Sequence, residues 1–200
     1  GLQTTRMLAG HNPPQPGIEV LQPGTMTTVQ DWPGRLGHWD VGVPPSGPMD
    51  ALSLRLANRL VGNPGDAAGL EMTVSGATLR FATDTLVALT GAALPATLDG
   101  QPLPMWQAVR VPEYMGSRST FTLGGFGGHG GRALRVGDVL RLLPTDRPGA
   151  PGTTLPAALR PALGNQWDIA VLHGPHAAPD FFTPQDIAQF YATDWQVHYN

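Results

Sequence analysis

Apolar and polar positions change places in short bursts along this chain. Ile18-Glu-Val-Leu21 alternates as a half-buried strand does, and Pro23-Gly24 closes it with a turn. The β-branched stretch 25–30 predicts a second strand, halted by Asp31-Trp-Pro-Gly34. Over residues 50–61 the spacing becomes helical. Leu52, Leu54, Leu56, Ala57, Leu60 and Val61 make a broad apolar face, with Arg55, Asn58 and Arg59 outside it. Gly62-Asn-Pro64 supplies the stop. Short strands are then expected at 70–74, 77–81, 85–90 and 96–98, with Asp99-Gly100 as a hairpin turn. Further strands at 120–123 and 139–143 flank a glycine-rich loop. Beyond them, 167–172 reads as a strand. Thr183-Pro-Gln-Asp186 opens a second helix, with Thr as N-cap and Pro at the first helical position, and its apolar face is Ile187, Phe190 and Tyr191. Residues 195–200 read as a strand cut off mid-run.

This pattern divides the chain into a linker at 1–17, a first barrel-like portion at 18–143, a Pro/Gly-rich connector at 144–164, and the truncated start of a second portion at 165–200. The linker assignment rests on His11-Asn-Pro-Pro-Gln-Pro-Gly17, which can hold neither a helix nor a ladder. With 26 Gly and 21 Pro scattered without period, short apolar runs separated by turns point to a mainly β fold with two short helices. A 41% hydrophobic content against 14% charged residues is that of a chain with a packed core. The net charge of −3 and the lack of any Lys/Arg cluster give nucleic acid nothing to hold. Zero cysteines exclude disulfides and thiolate metal sites. The apolar runs are too short to span a bilayer, so a cytoplasmic location is the default expectation.

Candidate chemistry concentrates in two segments. Gly116-Ser-Arg-Ser-Thr-Phe121 sets Ser117, Ser119 and Thr120 beside Arg118, a group of donors suited to a carboxylate, a ureido oxygen or a phosphate; a polar turn with a surface ion pair is the plainer reading. Gly124-Gly-Phe-Gly-Gly-His-Gly-Gly131 lets backbone approach a ligand closely, and His129 within it could orient substrate or carry a proton, or stand by. It lacks the Gly-Lys-Ser/Thr of a phosphate-binding loop. The six histidines form no metal set, since Gly-Pro between His173 and His176 makes a turn. Asp31 and Arg35 suggest a turn with a local ion pair, and Glu71 inside a predicted strand needs a partner.

Several segments, in order, resemble the family called allophanate hydrolase subunit 2, or urea amidolyase carboxyltransferase region. They are Thr28-Val-Gln-Asp-Trp-Pro-Gly-Arg35, Gly42-Val-Pro-Pro-Ser-Gly-Pro-Met-Asp50, Arg55-Leu-Ala-Asn-Arg-Leu-Val-Gly62, Gly69-Leu-Glu71, Gly116-Ser-Arg-Ser-Thr-Phe121 with the loop to Gly131, and Phe181-Phe-Thr183. Thr4-Thr-Arg-Met-Leu8 is similar to the segment that joins the biotin carboxylase part to this part in urea carboxylases. The resemblance implies a cyclophilin-like β-barrel, here an incomplete two-barrel carboxyltransferase unit. It implies transfer of a carboxyl group from carboxybiotin to urea or a urea-like amide, giving allophanate. Arg118 and His129 are then the expected catalytic residues, and Ser117, Ser119, Thr120, Gly127, Gly128, Ser46 and Asp50 the expected substrate or carboxybiotin contacts, with no metal. Biotin would ride on a carrier domain and ATP be used in a separate biotin carboxylase domain, both partners together with a sister carboxyltransferase half. A 5-oxoprolinase component, or an interaction module that pairs with a sister subunit, fits the same motifs.

Two departures from the family pattern stand out. Further strand sequence that the family carries between Val111 and Pro112 is missing, and the chain stops at Asn200 where the family continues. A barrel without some of its strands has open edges, so the 200 residues are expected not to catalyse alone.

Overall fold

The computed structural model describes residues 17–38, 40, 42, 46–82, 84–111, 120–121, 126–127, 131–142, 149–171 and 181–197. Its elements in chain order are β1 (Gly17–Gln22), β2 (Met26–Gln30), α1 (Ala51–Leu60), β3 (Gly69–Thr73), β4 (Thr78–Phe81), β5 (Thr85–Ala88), β6 (Thr97–Leu98), β7 (Gln101–Pro102), β8 (Ala108–Val111), β9 (Thr120–Phe121), β10 (Phe126–Gly127), β11 (Val139–Arg141) and α2 (Pro184–Tyr191). The mainly β class with two short α-helices holds. Two compact units divide between Leu163 and Gly164.

The first unit is built around β1, the middle strand of the order β11-β1-β4, antiparallel on both sides. Ile18 and Val20, two residues apart and therefore on one face, are fully buried. They pack with Val29, Ala68, Leu134, Leu140 and Leu142, and Leu70, Leu79 and Phe81 close the periphery. The intervening Glu19 faces outward and pairs with Arg80 at 3.0 Å across the ladder. The other described ladders have two strands: β2 with β3, β5 with β8, β6 with β7, and β9 with β10. The Asp99-Gly100 hairpin turn is confirmed, with φ of 50° and 81° joining β6 to β7.

β2 is buried on both faces. Val29 faces the core, and Thr27 on that side donates its hydroxyl to Pro23 O at 2.6 Å. Thr28 and Gln30 line the opposite face, where Gln30 Nε2 donates to Thr28 Oγ1 at 3.0 Å. α1 begins at Asp50, whose carboxylate accepts from Ser53 N at 2.9 Å. One residue assigned to the outer face of this helix belongs inside. Asn58 is 5% exposed and donates to Ala67 O at 2.5 Å, while its Oδ1 accepts from Asn63 at 3.4 Å. The side chain satisfies the backbone of the turn that leads into β3. Leu52, expected on the apolar face, is 54% exposed.

β8, unforeseen in the sequence, pairs with β5. Residues 149–155 return to it: Ala108 N donates to Thr153 O, Gly152 N to Ala108 O, and Leu155 N to Trp106 O, at 2.8, 2.8 and 3.0 Å. Residues 152–155 of the Pro/Gly-rich stretch are thus tied to the backbone at β8 and just before it.

In the second unit, residues 167–171 and 195–197 form no strand. α2 starts as expected. Thr183 Oγ1 accepts from Asp186 N at 3.2 Å and Asp186 Oδ2 accepts from Thr183 N at 2.8 Å, a reciprocal cap. Phe190, Tyr191 and Trp195 cluster, with ring centroids 5.7 and 5.1 Å from Phe190. Among the described residues no helix is long and apolar enough to cross a membrane.

Ile18→Ala should lower the unfolding free energy by about 2–5 kcal/mol, and Val136→Ala, at an exposed site, by less than about 0.5 kcal/mol. Denaturant titration checks both. Hydrogen bonds from Thr183 hold the Asp186 carboxyl below its ordinary range. A depressed carboxyl stabilises the folded state above its unfolded value and loses that contribution as pH falls through the folded one. Amide protection at the start of α2 should therefore fall with acidification, and Asp186→Ala should remove that pH dependence.

Candidate functional site

The candidate site is assembled from the outer face of the β2–β3 ladder. Directly opposite residues of an antiparallel pair share a face, and Thr28 stands opposite Glu71, with Gln30 two residues along. Two hydroxyl- and amide-bearing side chains and a carboxylate therefore occupy a face that is closed from water or half closed. Glu71 has the partner that its position demanded: its Oε1 accepts from the backbone N–H of Asp50 at 3.0 Å. That contact fixes the start of α1 against β3, and Asp50 in turn caps the helix.

Asp50 is delivered by a clamp between two loops. Arg35 N donates to Ser46 O at 2.9 Å, Ser46 N to Arg35 O at 3.3 Å, and Arg35 Nη1 to Ser46 Oγ at 3.5 Å. Gly34, at φ 81°, has no room for a side chain, since a Cβ there would lie 1.5 Å from Ser46 O. This is why glycine follows Trp32-Pro33, whose peptide bond is cis. Ser46 thus acts mainly through its backbone, in closing the loop that carries Asp50.

Ser53 contributes a further polar atom. It is 4% exposed, and its Oγ has no hydrogen-bond partner among the described residues. Asp50 Oδ2 and Ser53 Oγ lie 3.7 and 3.8 Å from the Cβ position of Gly91, which has φ 100°. Thr90 Oγ1 donates to Ser53 O at 2.9 Å and binds this corner to the end of β5.

β9 and β10 supply the other part. Thr120 stands directly opposite Gly127 and Phe121 opposite Phe126, so these strands form the base of the glycine-rich loop. β9 also lies against β2, which brings the backbone of Thr120 next to the ladder that carries Thr28 and Glu71. Of the expected site residues, Ser46, Asp50, Thr120 and Gly127 are described. Ser117, Arg118, Ser119, Gly128 and His129 lie outside the described residues. No group of three or more potential metal ligands occurs among the described residues.

Sequence reasoning missed Thr28, Gln30 and Ser53. The signal for the first two was present in Thr28-Val-Gln30, polar at both ends of an i, i+2 pair inside a strand that the core already claimed from the other side. Ser53 carried no such signal, because its burial depends on the approach of residues 90–91.

The carboxyltransferase domain, subdomain A and B, family matches residues 41–113 and 108–200, two stretches that meet at β8. Urea amidolyase of Lachancea kluyveri is 40% identical over 236 residues, covering 98% of this chain and 13% of that protein. The alignment is longer than the 200-residue chain itself. A 5-oxoprolinase component of Escherichia coli is 38% identical over 150 residues, covering 62% of this chain and 48% of that protein. The crystal structure of the K. lactis urea amidolyase superposes with a TM-score of 0.82 at 38% identity, over 95% of this chain and 14% of that one. The chain thus spans only a small part of the length of the urea amidolyases it matches.

Glu71→Ala should cost about 1–2 kcal/mol by leaving the Asp50 N–H without its acceptor, and Glu71→Gln clearly less. Ser53→Ala, which removes a buried hydroxyl without a partner, should leave stability unchanged or raise it by up to about 1 kcal/mol. Thermal and denaturant unfolding of the three variants checks this order.

Proposed function

The chain belongs to the carboxyltransferase domain, subdomain A and B, family, and we propose that it is part of the carboxyltransferase of a biotin-dependent urea carboxylase. The observation that carries this reading is coverage. Likeness to urea amidolyase extends over 98% of the chain, and likeness to the 5-oxoprolinase component over 62%. The meeting of the two family matches at residues 108–113, and an alignment that outruns the chain, support the absence of family sequence after Val111.

In this role the chain helps to move a carboxyl group from carboxybiotin to a urea nitrogen, giving allophanate. Carboxybiotin, held on a carrier domain, supplies the activated carboxyl group, and ATP is spent in a separate biotin carboxylase domain. The donor chemistry of this chain suits the task. The Arg118 guanidinium with the hydroxyls of Ser117, Ser119 and Thr120 holds carboxylate and ureido oxygens through several aligned donors. Backbone N–H groups at Gly127 and Gly128 stabilise negative charge on the ureido oxygen, and His129 carries a proton. The half-buried carboxylates of Glu71 and of Asp50, at the helix start, supply acceptors for the N–H groups of a urea-like amide, and the buried Thr28 and Gln30 support them from behind. A sister carboxyltransferase half completes the pocket, and a soluble cytoplasmic enzyme is the setting. The domain plan is a linker at 1–17, a first portion at 18–143, a connector at 144–164 and a second portion from 165.

The test uses the complete polypeptide that carries this segment with its carboxylase and carrier domains. Urea should stimulate ATP hydrolysis, a streptavidin blot should detect biotin, and Arg118→Ala should lower kcat/KM for urea about 100-fold or more. Unchanged turnover in the Arg118→Ala enzyme would remove that residue from the mechanism. Stimulation by 5-oxoproline and not by urea would overturn the substrate.

A further inference from the structure

Three described arginines of the first unit sit on carboxylates: Arg80 on Glu19, Arg110 on Asp84 and Arg132 on Asp138, at 3.0, 3.0 and 2.6 Å. Arg55 and Arg59 of α1 do not. Among the described residues neither has a carboxylate within ion-pairing distance, although Asp66 is close by in sequence and exposed. Four residues apart on one helix, the two share a face, an arrangement of like charges that works against the helix. Arg59, in the last turn, gains from the carbonyl end of the helix dipole. Arg55, in the middle, does not.

Instead of diverging, the two side chains converge. A Cβ at Gly65 would lie 3.6 Å from Arg59 Nε and 3.9 Å from Arg55 Nε. Arg55 is further held by the Trp32 indole, with Cζ 5.3 Å from the ring centroid. The Nε atoms of two guanidinium groups thus lie within 4 Å of one point beside a glycine, one of the groups resting over an indole ring, with no described counter-charge between them. Guanidinium N–H groups match planar and tetrahedral oxyanions and hold them through charge-assisted hydrogen bonds.

We propose that Arg55 and Arg59, with Gly65 as the open floor and Trp32 as the stacking support, form a binding site for a small oxyanion, a carboxylate or a phosphate. The site shares no residue with the Asp50, Thr28 and Glu71 face and stands or falls independently of the carboxyl-transfer reading. Gly65 has a purpose here: its missing side chain leaves open the space between the two Nε atoms, into which an anion's oxygens enter to within hydrogen-bond distance of both.

Proton–nitrogen NMR of the 200-residue chain tests this, with sodium acetate and inorganic phosphate titrated separately at constant ionic strength. The expected result is a saturable shift of the Gly65 amide and of the Arg55 and Arg59 Nε–H signals at about millimolar anion, with the Arg80 and Arg110 signals unmoved. Gly65→Ala adds a methyl group at ordinary contact distances, so the melting temperature should hold while affinity falls about tenfold or more. Arg55→Gln should do the same. Saturation by acetate alone identifies a carboxylate site, and saturation by phosphate alone a phosphate site. Failure of both anions to saturate the wild-type signals, or equal affinity in the Arg55→Gln chain, overturns the proposal.

Discussion

The hydrogen bond from the Asp50 backbone N–H to the Glu71 carboxylate joins α1 to the strand that forms the floor of the candidate site. Its importance follows from position. Glu71 lies in the β2–β3 ladder on the face away from the core, where a half-buried carboxylate must find donors. The first turn of a helix offers N–H groups that have no partner within the helix. Each supplies what the other lacks. The placement of Asp50 and the seating of the start of α1 against β3 follow from that match.

β2 imposes the second constraint. One face, with Val29, completes the hydrophobic cluster around Ile18 and Val20; the other, with Thr28 and Gln30, is polar and also shielded. A strand with both faces covered cannot slip by one residue without driving polar side chains into the core. The register of β2 against β3 is thereby held, and with it the juxtaposition of Thr28 and Glu71. Rigid support of this kind suits a site whose ligands are small and polar, because the donors and acceptors need not reorganise when a ligand arrives.

The clamp between Arg35 and Ser46 completes the arrangement. Both loops are rich in Gly and Pro, and loops of that composition lack regular partners for their backbone groups. Here they pair with one another through two backbone hydrogen bonds, at a separation that only glycine at position 34 allows. Trp32, in the same loop, lies beneath Arg55, so one loop both closes the approach to Asp50 and touches the middle of α1.

By itself the sequence determined the mainly β class, the Asp99-Gly100 hairpin, the helix start near Asp50, the cap at Thr183 and the family, because these depend on local periods, backbone conformations and ordered motifs. It also marked Glu71 as a residue in need of a partner. It did not reveal the partner, nor the inward turn of Asn58, nor β8, nor the lack of strand at 167–171. Those were decided only when distant segments met. Asn58 turns inward because the backbone at Ala67 needs a donor, and β8 exists because β5 and residues 149–155 offer it partners on either side. Ser53 is buried because Thr90 and Gly91 close over the helix start. Hydrogen-bond satisfaction and burial across tens of residues are properties of the folded chain, and no local pattern encodes them.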